Sequence, residues 1–373
     1  IWPHFYAGTM GLVQRDGIER LRHAMRYSRQ HSTICSAASD AGWKAGVGAK
    51  RGVDAREIGE HSDVVVLWGT NAVHTQVNLM HHLSKASKRG AKLIVVDPYR
   101  NATAKKADLH IMLQPGSDGA VASALMHVLL KENFADRDYL AGYTDFDNEL
   151  EDHLETKTPE WASAISGVSA EEIIEFARLI GRNPKTYYRF GYGFTRSRNG
   201  AFNMHAASCL PAMTGAWKYK GGGGLYSNSE LCKLDKTLIV GSDVVDPDTR
   251  VLDQSRIGEI LCGNPVDLQG GPPITALLIQ NTNPMMVSPS SVKVKKGFER
   301  DDLFVCVHEQ FLTETAAMAD IVLPATTFLE HEDIYVAGGH TFLQVTKPVI
   351  QPYADAKPNH FVICELAKRL GAQ

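Results

Sequence analysis

The stretch from Asp63 to Asp108 constrains the fold more than any other. It opens on Val64-Val65-Val66-Leu67-Trp68, a short, continuous, largely β-branched run that breaks at Gly69-Thr70-Asn71. Such a run reads as a parallel strand buried on both faces. From Gln76 to Arg89, apolar Val77, Met80, Leu83 and Ala86 recur every third residue. That spacing predicts an amphipathic helix, and Gly90 stands at its C-terminal cap. Leu93-Ile94-Val95-Val96 is a second buried strand, so the stretch is a βαβ unit. Units of this kind bind ligands at the carboxyl ends of their strands, here Gly69–Asn71 and Asp97–Arg100.

The unit recurs at an offset of 212 positions, without a gap. Val64–Ala72 falls on Ala276-Leu277-Leu278-Ile279-Gln280-Asn281-Thr282-Asn283-Pro284, another apolar run that breaks at a Thr-Asn pair. Leu93–Val96 falls on Val305–His308, and the acid Asp97 falls on the acid Glu309. Thr103-Ala104 with Ala107-Asp108 falls on Thr315-Ala316 with Ala319-Asp320. The matches lie at both strand ends and at the turn after the second strand. The fold class expected is therefore α/β, with two Rossmann-like βαβ domains, mainly parallel sheets and a pseudo-duplication, and hence two similar ligands.

At 373 residues the chain is long enough for two domains with full cores. Its net charge of −3 leaves no basic surplus for nucleic acid. No apolar run approaches the roughly 18 residues of a membrane helix. Six cysteines are scattered with no Cys-x-x-Cys, which excludes a disulfide framework and a zinc or iron–sulfur cradle. The chain starts at Ile1 with no leader pattern and reads as a piece of something longer. A cytoplasmic setting is favoured over a periplasmic one, but the compartment is unknown from sequence.

In chain order, Asp16 is expected to cap a helix through Tyr27, and Asp54 a short helix to about His61. Leu109–Leu113 reads as a third strand. Gln114-Pro115-Gly116-Ser117-Asp118-Gly119 then opens a helix through Leu130. Ala170–Ile180 is a helix behind Ser169. Thr186–Phe190 is a strand ending in Gly191-Tyr192-Gly193, and Asn199–Thr214 follows as a helix. Residues 225–273 show no clear pattern, and Asn359–Leu370 closes as a helix. Residues before Cys35 are too few for a domain. The expected arrangement is a discontinuous domain of 1–34 plus 186–373, with a continuous domain of 35–185 inserted.

Three strings carry a family resemblance: Trp68-Gly69-Thr70-Asn71, Gly90-Ala91-Lys92-Leu93-Ile94-Val95-Val96-Asp97-Pro98 and Pro115-Gly116-Ser117-Asp118. Thr313-Glu314-Thr315-Ala316-Ala317-Met318-Ala319-Asp320-Ile321-Val322-Leu323-Pro324 is a fourth and more specific one. Together they resemble the molybdopterin oxidoreductases of the dimethyl sulfoxide reductase type, over nearly all of the chain. That resemblance implies a bis(molybdopterin guanine dinucleotide) molybdenum cofactor, with one dinucleotide on each of two similar domains. Carried over by motif, Gly69, Thr70, Asn71, Asp97, Pro98, Arg100, Gly116 and Asp118 are expected around one dinucleotide. Asn281, Asn283, Glu309, Thr313 and Thr315 are expected around the other. The chemistry suits them, since N–H groups near glycine approach a pyrophosphate and carboxylates accept from guanine or ribose. Gly191 and Gly193 join the set as a pair that lacks the third glycine of a dinucleotide fingerprint, and a tight turn explains them equally well. For each acid and asparagine the competing reading is a turn cap or a left-handed backbone position.

Cys35 lies in Ile34-Cys35-Ser36-Ala37-Ala38-Ser39-Asp40, a segment similar to the one that supplies the molybdenum ligand in formate dehydrogenases and periplasmic nitrate reductases. A thiolate is a soft ligand, and a metal holds it deprotonated. A buried structural cysteine is the competing reading, and it is the one adopted for the other five. No paired metal spacing exists among the histidines, and Glu330-His331-Glu332-Asp333 reads as a solvated turn. Ser36 and the string Leu225-Tyr226-Ser227-Asn228 depart from the formate dehydrogenase pattern, so formate is not the expected substrate. The resemblance places the family's iron–sulfur cluster in an amino-terminal segment ahead of this chain, and a cap domain after it. The expected whole protein is a molybdenum-dependent oxidoreductase performing two-electron or oxygen-atom transfer on a small molecule. Cys35 is its catalytic and metal-binding residue, and an electron-transfer subunit its partner. The alternative is a non-catalytic homologue acting as a structural or electron-transfer subunit of a respiratory complex. An NAD-dependent dehydrogenase would need a glycine fingerprint that is missing.

Overall fold

The computed structural model describes residues 1–372. Its strands are β1 (Trp2–Phe5), β2 (Arg29–His31), β3 (Val64–Trp68), β4 (Lys92–Val96), β5 (Leu109–Ile111), β6 (Thr186–Phe190) and β7 (Gly223–Leu225). They continue as β8 (Val251–Asp253), β9 (Ala276–Gln280), β10 (Phe304–Glu309), β11 (Ile321–Pro324), β12 (Asp333–Val336) and β13 (Leu343–Thr346). The architecture is α/β with mainly parallel sheets; among the described residues only the β12–β13 pair is antiparallel.

Two compact units divide the chain. One comprises Ile1–Ile34, Cys232–Val336 and Phe342–Gln373; the other comprises Cys35–Leu231 and Ala337–Thr341. The inserted unit thus runs past 185, the end expected from sequence. The reason is strand pairing: β6 lies parallel to β3, from Val64 opposite Thr186 to Trp68 opposite Phe190, and β7 follows on β6. Its sheet has the order β5-β4-β3-β6-β7, all parallel. Every residue of β3 and β6 is buried, as the continuous apolar run of β3 requires, and β6 carries Arg189 into that interior. The discontinuous unit has a parallel sheet in the order β1-β9-β10-β11.

Within each unit the same contacts occur at the offset of 212. Val64 faces Lys92 in one, and Ala276 faces Phe304 in the other. Ile94 faces Leu109, and Cys306 faces Ile321. The Leu93 N–H donates to Asp108 Oδ2 at 2.9 Å, and the Val305 N–H donates to Asp320 Oδ2 at 2.7 Å. Gly69 has φ +64° and Asn281 has φ +59°, so the residue leaving the first strand is left-handed in both.

Several local expectations are corrected. The helix expected from Asp16 to Tyr27 is two helices, Leu12–Asp16 and Ile18–Ala24, parted at Gly17. Asp16 caps nothing; it pairs with Arg15 at 2.6 Å and Lys236 at 3.1 Å. Asp54 turns the chain by accepting from the Arg56 N–H ahead of the helix Glu57–His61, rather than capping it. On Val77–Lys88 the buried face is Leu79, Leu83 and Ala86, while Val77 is 65% exposed. Leu79 to Leu83 and Leu83 to Ala86 are the four- and three-residue steps of a real helix, not a uniform three-step. The segment Glu330–Asp333 is not a solvated turn. Glu330, His331 and Asp333 are buried, and Asp333 accepts from the N–H groups of Val13 and Gln14.

Candidate functional site

In the inserted unit, the carboxyl ends of β3, β4 and β6 bring together most of the expected residues. The Gly69 N–H donates to Val96 O at 2.9 Å, and the Gly69 carbonyl accepts from the Gly193 N–H at 3.0 Å. The Gly191 N–H donates to Trp68 O at 2.8 Å. A Cβ on Gly191 would lie 2.3 Å from Gly69 O, and one on Gly69 would lie 2.6 Å from Phe194. These glycines therefore let two strand ends close on each other, which is the tight-turn reading of Gly191 and Gly193. Gly116, at φ +90°, turns its carbonyl to Asn199 Nδ2 at 3.0 Å.

Asp97 and Asp118 are both buried. Burial raises the pKa of each; that of Asp118 is pushed up to about 6, with the Asp97 charge adding to the rise. Trp68 Nε1 donates to Asp118 Oδ1 at 2.8 Å. The Asp97 carboxylate accepts from the Tyr99 N–H, while Pro98 and Arg100 are exposed beside it. Thr70 is buried and accepts from Gln76 Nε2 at 3.1 Å. Asn71 Oδ1 accepts from the Thr103 hydroxyl at 2.7 Å, so that side chain braces the loop as well as facing it.

Cys35 stands just ahead of the helix Ala37–Val47 and adopts φ +60°. A left-handed backbone costs a non-glycine residue roughly 1–2 kcal/mol, so its surroundings must enforce it. Two contacts do so: Ser39 Oγ lies 2.6 Å from Thr195 Oγ1, and Arg196 Nη2 donates to Cys35 Sγ at 3.4 Å. Both partners follow Gly193, so the thiol is held against the loop after β6. On the same helix, Asp40 accepts from the Tyr226 hydroxyl at 2.6 Å and from Lys50 Nζ at 3.0 Å.

In the discontinuous unit, Asn283 and Thr315 meet, whereas Asn281 turns elsewhere. Asn281 Oδ1 accepts from Asn359 Nδ2 at 2.8 Å, so its side chain ties the helix Asn359–Leu370 to the sheet end. Thr315 is fully buried; its hydroxyl donates to Asn283 Oδ1 at 2.6 Å and accepts from the Met285 N–H at 3.1 Å. With its hydrogen bonds to Asn283 and Met285 made internally, the Thr315 hydroxyl braces the loop. Thr313 accepts from the Ala316 N–H, and Glu309 Oε1 accepts from the Gln310 N–H at 2.7 Å. The sequence reading did not single out Trp68, Gln76, Thr103, Arg189 and Arg196, which stand at these loops. Trp68 and Thr103 lay inside the quoted strings, and Arg189 left a signal of its own, a charge inside a strand.

A family model described as Molybdopterin oxidoreductase matches residues 21–369. The chain belongs to the molybdopterin oxidoreductase family. Among relatives in this family, the probable oxidoreductase YoaE of Bacillus subtilis is 38% identical over 373 residues, covering 100% of this chain and 54% of YoaE. Formate dehydrogenase H of Escherichia coli is 29% identical over 333 residues, 84% of this chain and 46% of that protein. Trimethylamine-N-oxide reductase of Haemophilus influenzae is 30% identical over 354 residues, 84% of this chain and 42% of that protein. The chain spans about half the length of the curated relatives it matches. The solved structure of acetylene hydratase from Pelobacter acetylenicus shares the fold, with a TM-score of 0.74 at 22% identity, covering 96% of this chain and 53% of that one. The family implies a molybdenum–pterin cofactor, and the donor set suits one: a soft sulfur held by a guanidinium, near strand-end loops with left-handed glycines. No helix among the described residues is long and apolar enough to cross a membrane.

Proposed function

We propose that the whole protein is a molybdenum-dependent oxidoreductase of small molecules, and that this chain supplies its two dinucleotide-binding units and its protein ligand to the metal. The observation that carries the reading is Cys35. Its thiol is held in a left-handed turn by Arg196 and stands by the loop after β6, in the unit whose strand ends carry Gly69, Thr70, Asp97 and Asp118. When bound, the molybdenum–pterin group supplies the two-electron couple. In this reading the guanine dinucleotide form of the cofactor is held once in each unit. Gly69, Thr70, Asn71, Asp97, Pro98, Arg100, Gly116 and Asp118 face one copy, and Asn283, Glu309 and Thr313 face the other. Cys35 presents the sulfur, and Arg196 orients it. The substrate is a small molecule, and an electron-transfer subunit takes or supplies the electrons, as relatives named as alpha subunits of formate dehydrogenases suggest.

Cys35→Ala in the full-length protein tests this. Pterin and molybdenum should be retained, because the strand-end loops that bind them lie elsewhere in each unit. X-ray absorption should show one sulfur fewer around molybdenum. Dye-coupled turnover per molybdenum should fall at least about a hundredfold, more than loss of an outer-shell partner costs. Unchanged sulfur coordination and full turnover per metal would reduce Cys35 to a packing residue.

A further inference from the structure

A cavity of about 300 Å³ lies in the inserted unit at the amino ends of β3 and β4, the ends away from the loops described above. Its wall is apolar. Val65 and Leu93 come from the strands, and Leu83 and Ala86 from the helix Val77–Lys88. These four belong to, or pack against, the buried cluster that includes Leu67 and Val95, so the cavity opens from the core itself. Its volume is at the lower end of what small-molecule sites enclose. The rim is basic: Lys88, Lys92 and Lys106 stand there with a single acid, Asp108. Lys92 Nζ is 3.0 Å from Asp108 Oδ1. Lys88 and Lys106 are exposed and have no ion-pair partner among the described residues.

The repeated unit shows the same place closed. At the offset of 212, Phe298 stands for Ala86 and Leu303 for Ala91, both buried in the core of the discontinuous unit. Met318 stands for Lys106 and packs against that core. Arg300 stands for Lys88, but its guanidinium is paired with Asp302 at 2.6 Å and donates to the carbonyls of Leu261 and Ile274. Larger apolar side chains and a satisfied cation thus occupy positions where the inserted unit has two alanines and two unpaired lysines. An apolar wall without packing partners gains from any apolar group that covers it. Unmatched ammonium groups at the mouth attract an anion, and as point charges they take carboxylate or phosphate alike.

We infer that this cavity binds a small anionic amphiphile, a short acyl or alkyl chain with one terminal carboxylate or phosphate. The chain covers Val65, Leu83 and Leu93, and the head is held by Lys88 and Lys106. The inference stands apart from the cofactor reading, because none of these residues belongs to the strand-end loops.

Calorimetric titration of the full-length protein with octanoate and with octyl phosphate tests it. At least one should bind, and the tighter of the two identifies the head group. From butyrate to octanoate, affinity should rise by up to roughly fourfold per methylene as apolar surface leaves water. It should weaken as salt rises. Octanol has the chain without the charge and should bind at least about tenfold more weakly than octanoate. Ala91→Leu places the side chain of the closed site at a half-buried position and should remove the octanoate site. Lys88→Gln combined with Lys106→Gln, both at exposed positions, should weaken octanoate about tenfold and leave octanol unchanged. The lysine variant should melt at the native temperature without ligand, which separates loss of the site from loss of the fold. No binding of either anion, native affinity for both in the lysine variant, or octanol bound as tightly as octanoate overturns the proposal.

Discussion

Asp118 begins the helix Asp118–Lys131 at 2% exposure, and its pKa near 6 makes a stability prediction. Burial is the main cause of the rise, and the Trp68 hydrogen bond opposes it. In the unfolded chain the carboxyl loses its proton near 3.9, so the folded chain holds the proton more tightly. Stability from this group is therefore greatest below about pH 4, falls as pH rises to about 6, and stays low above that. Asp118→Asn keeps an oxygen for Trp68 and removes the charge. In cofactor-free protein it should be more stable than the native chain at pH 8, by about 2–3 kcal/mol from a shift of about two units. The gain should fade by about pH 4. Urea midpoints at the two pH values decide, and a less stable variant at pH 8 would show that the ionised carboxylate is needed by the fold. The Pro-Gly-Ser-Asp string made Asp118 visible in the sequence. The indole that holds it was not, because Trp68 reads as one more apolar residue of its strand.

Between residue and molecule, the recurring element is the turn that follows each second strand. Thr103 donates to Asn71 Oδ1 at 2.7 Å and accepts from the Val73 N–H at 3.1 Å. Thr315 does the same for Asn283 at 2.6 Å and Met285 at 3.1 Å. Each threonine thus latches the loop after one strand to the turn after the next. The single 3-10 turns Ala104–Lys106 and Ala316–Met318 stand behind them. The repeat in sequence located both turns, since the offset joins Thr103 to Thr315. It did not reveal that the hydroxyls point inward, because a threonine at a turn is equally at home facing solvent. Thr103→Val and Thr315→Val keep the shape and remove the hydroxyl, leaving the Val73 or Met285 N–H without its partner; Asn71 Oδ1 loses its Thr103 bond, while Asn283 Oδ1 keeps the Thr315 N–H at 3.4 Å. Each should cost about 1–3 kcal/mol by urea unfolding. The Ser variants, which retain the hydroxyl, should cost less. The two losses should add, since the latches share no partners. A Thr315→Val variant as stable as the native chain would mean water replaces the hydroxyl without penalty.

At the scale of the whole chain, what sequence could not supply was strand order. Local pattern identified β3, β4, β6, β9 and β10 as strands. No local pattern says that Thr186–Phe190 returns to the far side of β3 after the long helical segment between them. The strand was therefore assigned to the wrong unit. The observed pairing makes the two units unequal in how they can fold. The inserted unit is nearly continuous: beyond Cys35–Leu231 it takes only Ala337–Thr341. That short piece contributes peripheral bonds, such as Gly338 O accepting from the Asn228 N–H at 2.8 Å. Its sheet and the cores on both faces lie within 35–231, from Trp43 to Tyr226. The 35–231 segment expressed alone should therefore melt cooperatively, in one calorimetric transition. A 232–373 segment should not. It lacks β1, the parallel neighbour of β9 from Trp2 opposite Leu277 to Phe5 opposite Gln280. Loss of β1 removes the fully buried Trp2 from the core and leaves β9 with an open edge, so this segment should aggregate or stay unfolded. Supplying residues 1–34 by a linker to Cys232 should restore the transition. If 35–231 shows no cooperative melting while 232–373 does, the division drawn from β-strand pairing is wrong, and the chain folds around the β9–β10 sheet instead.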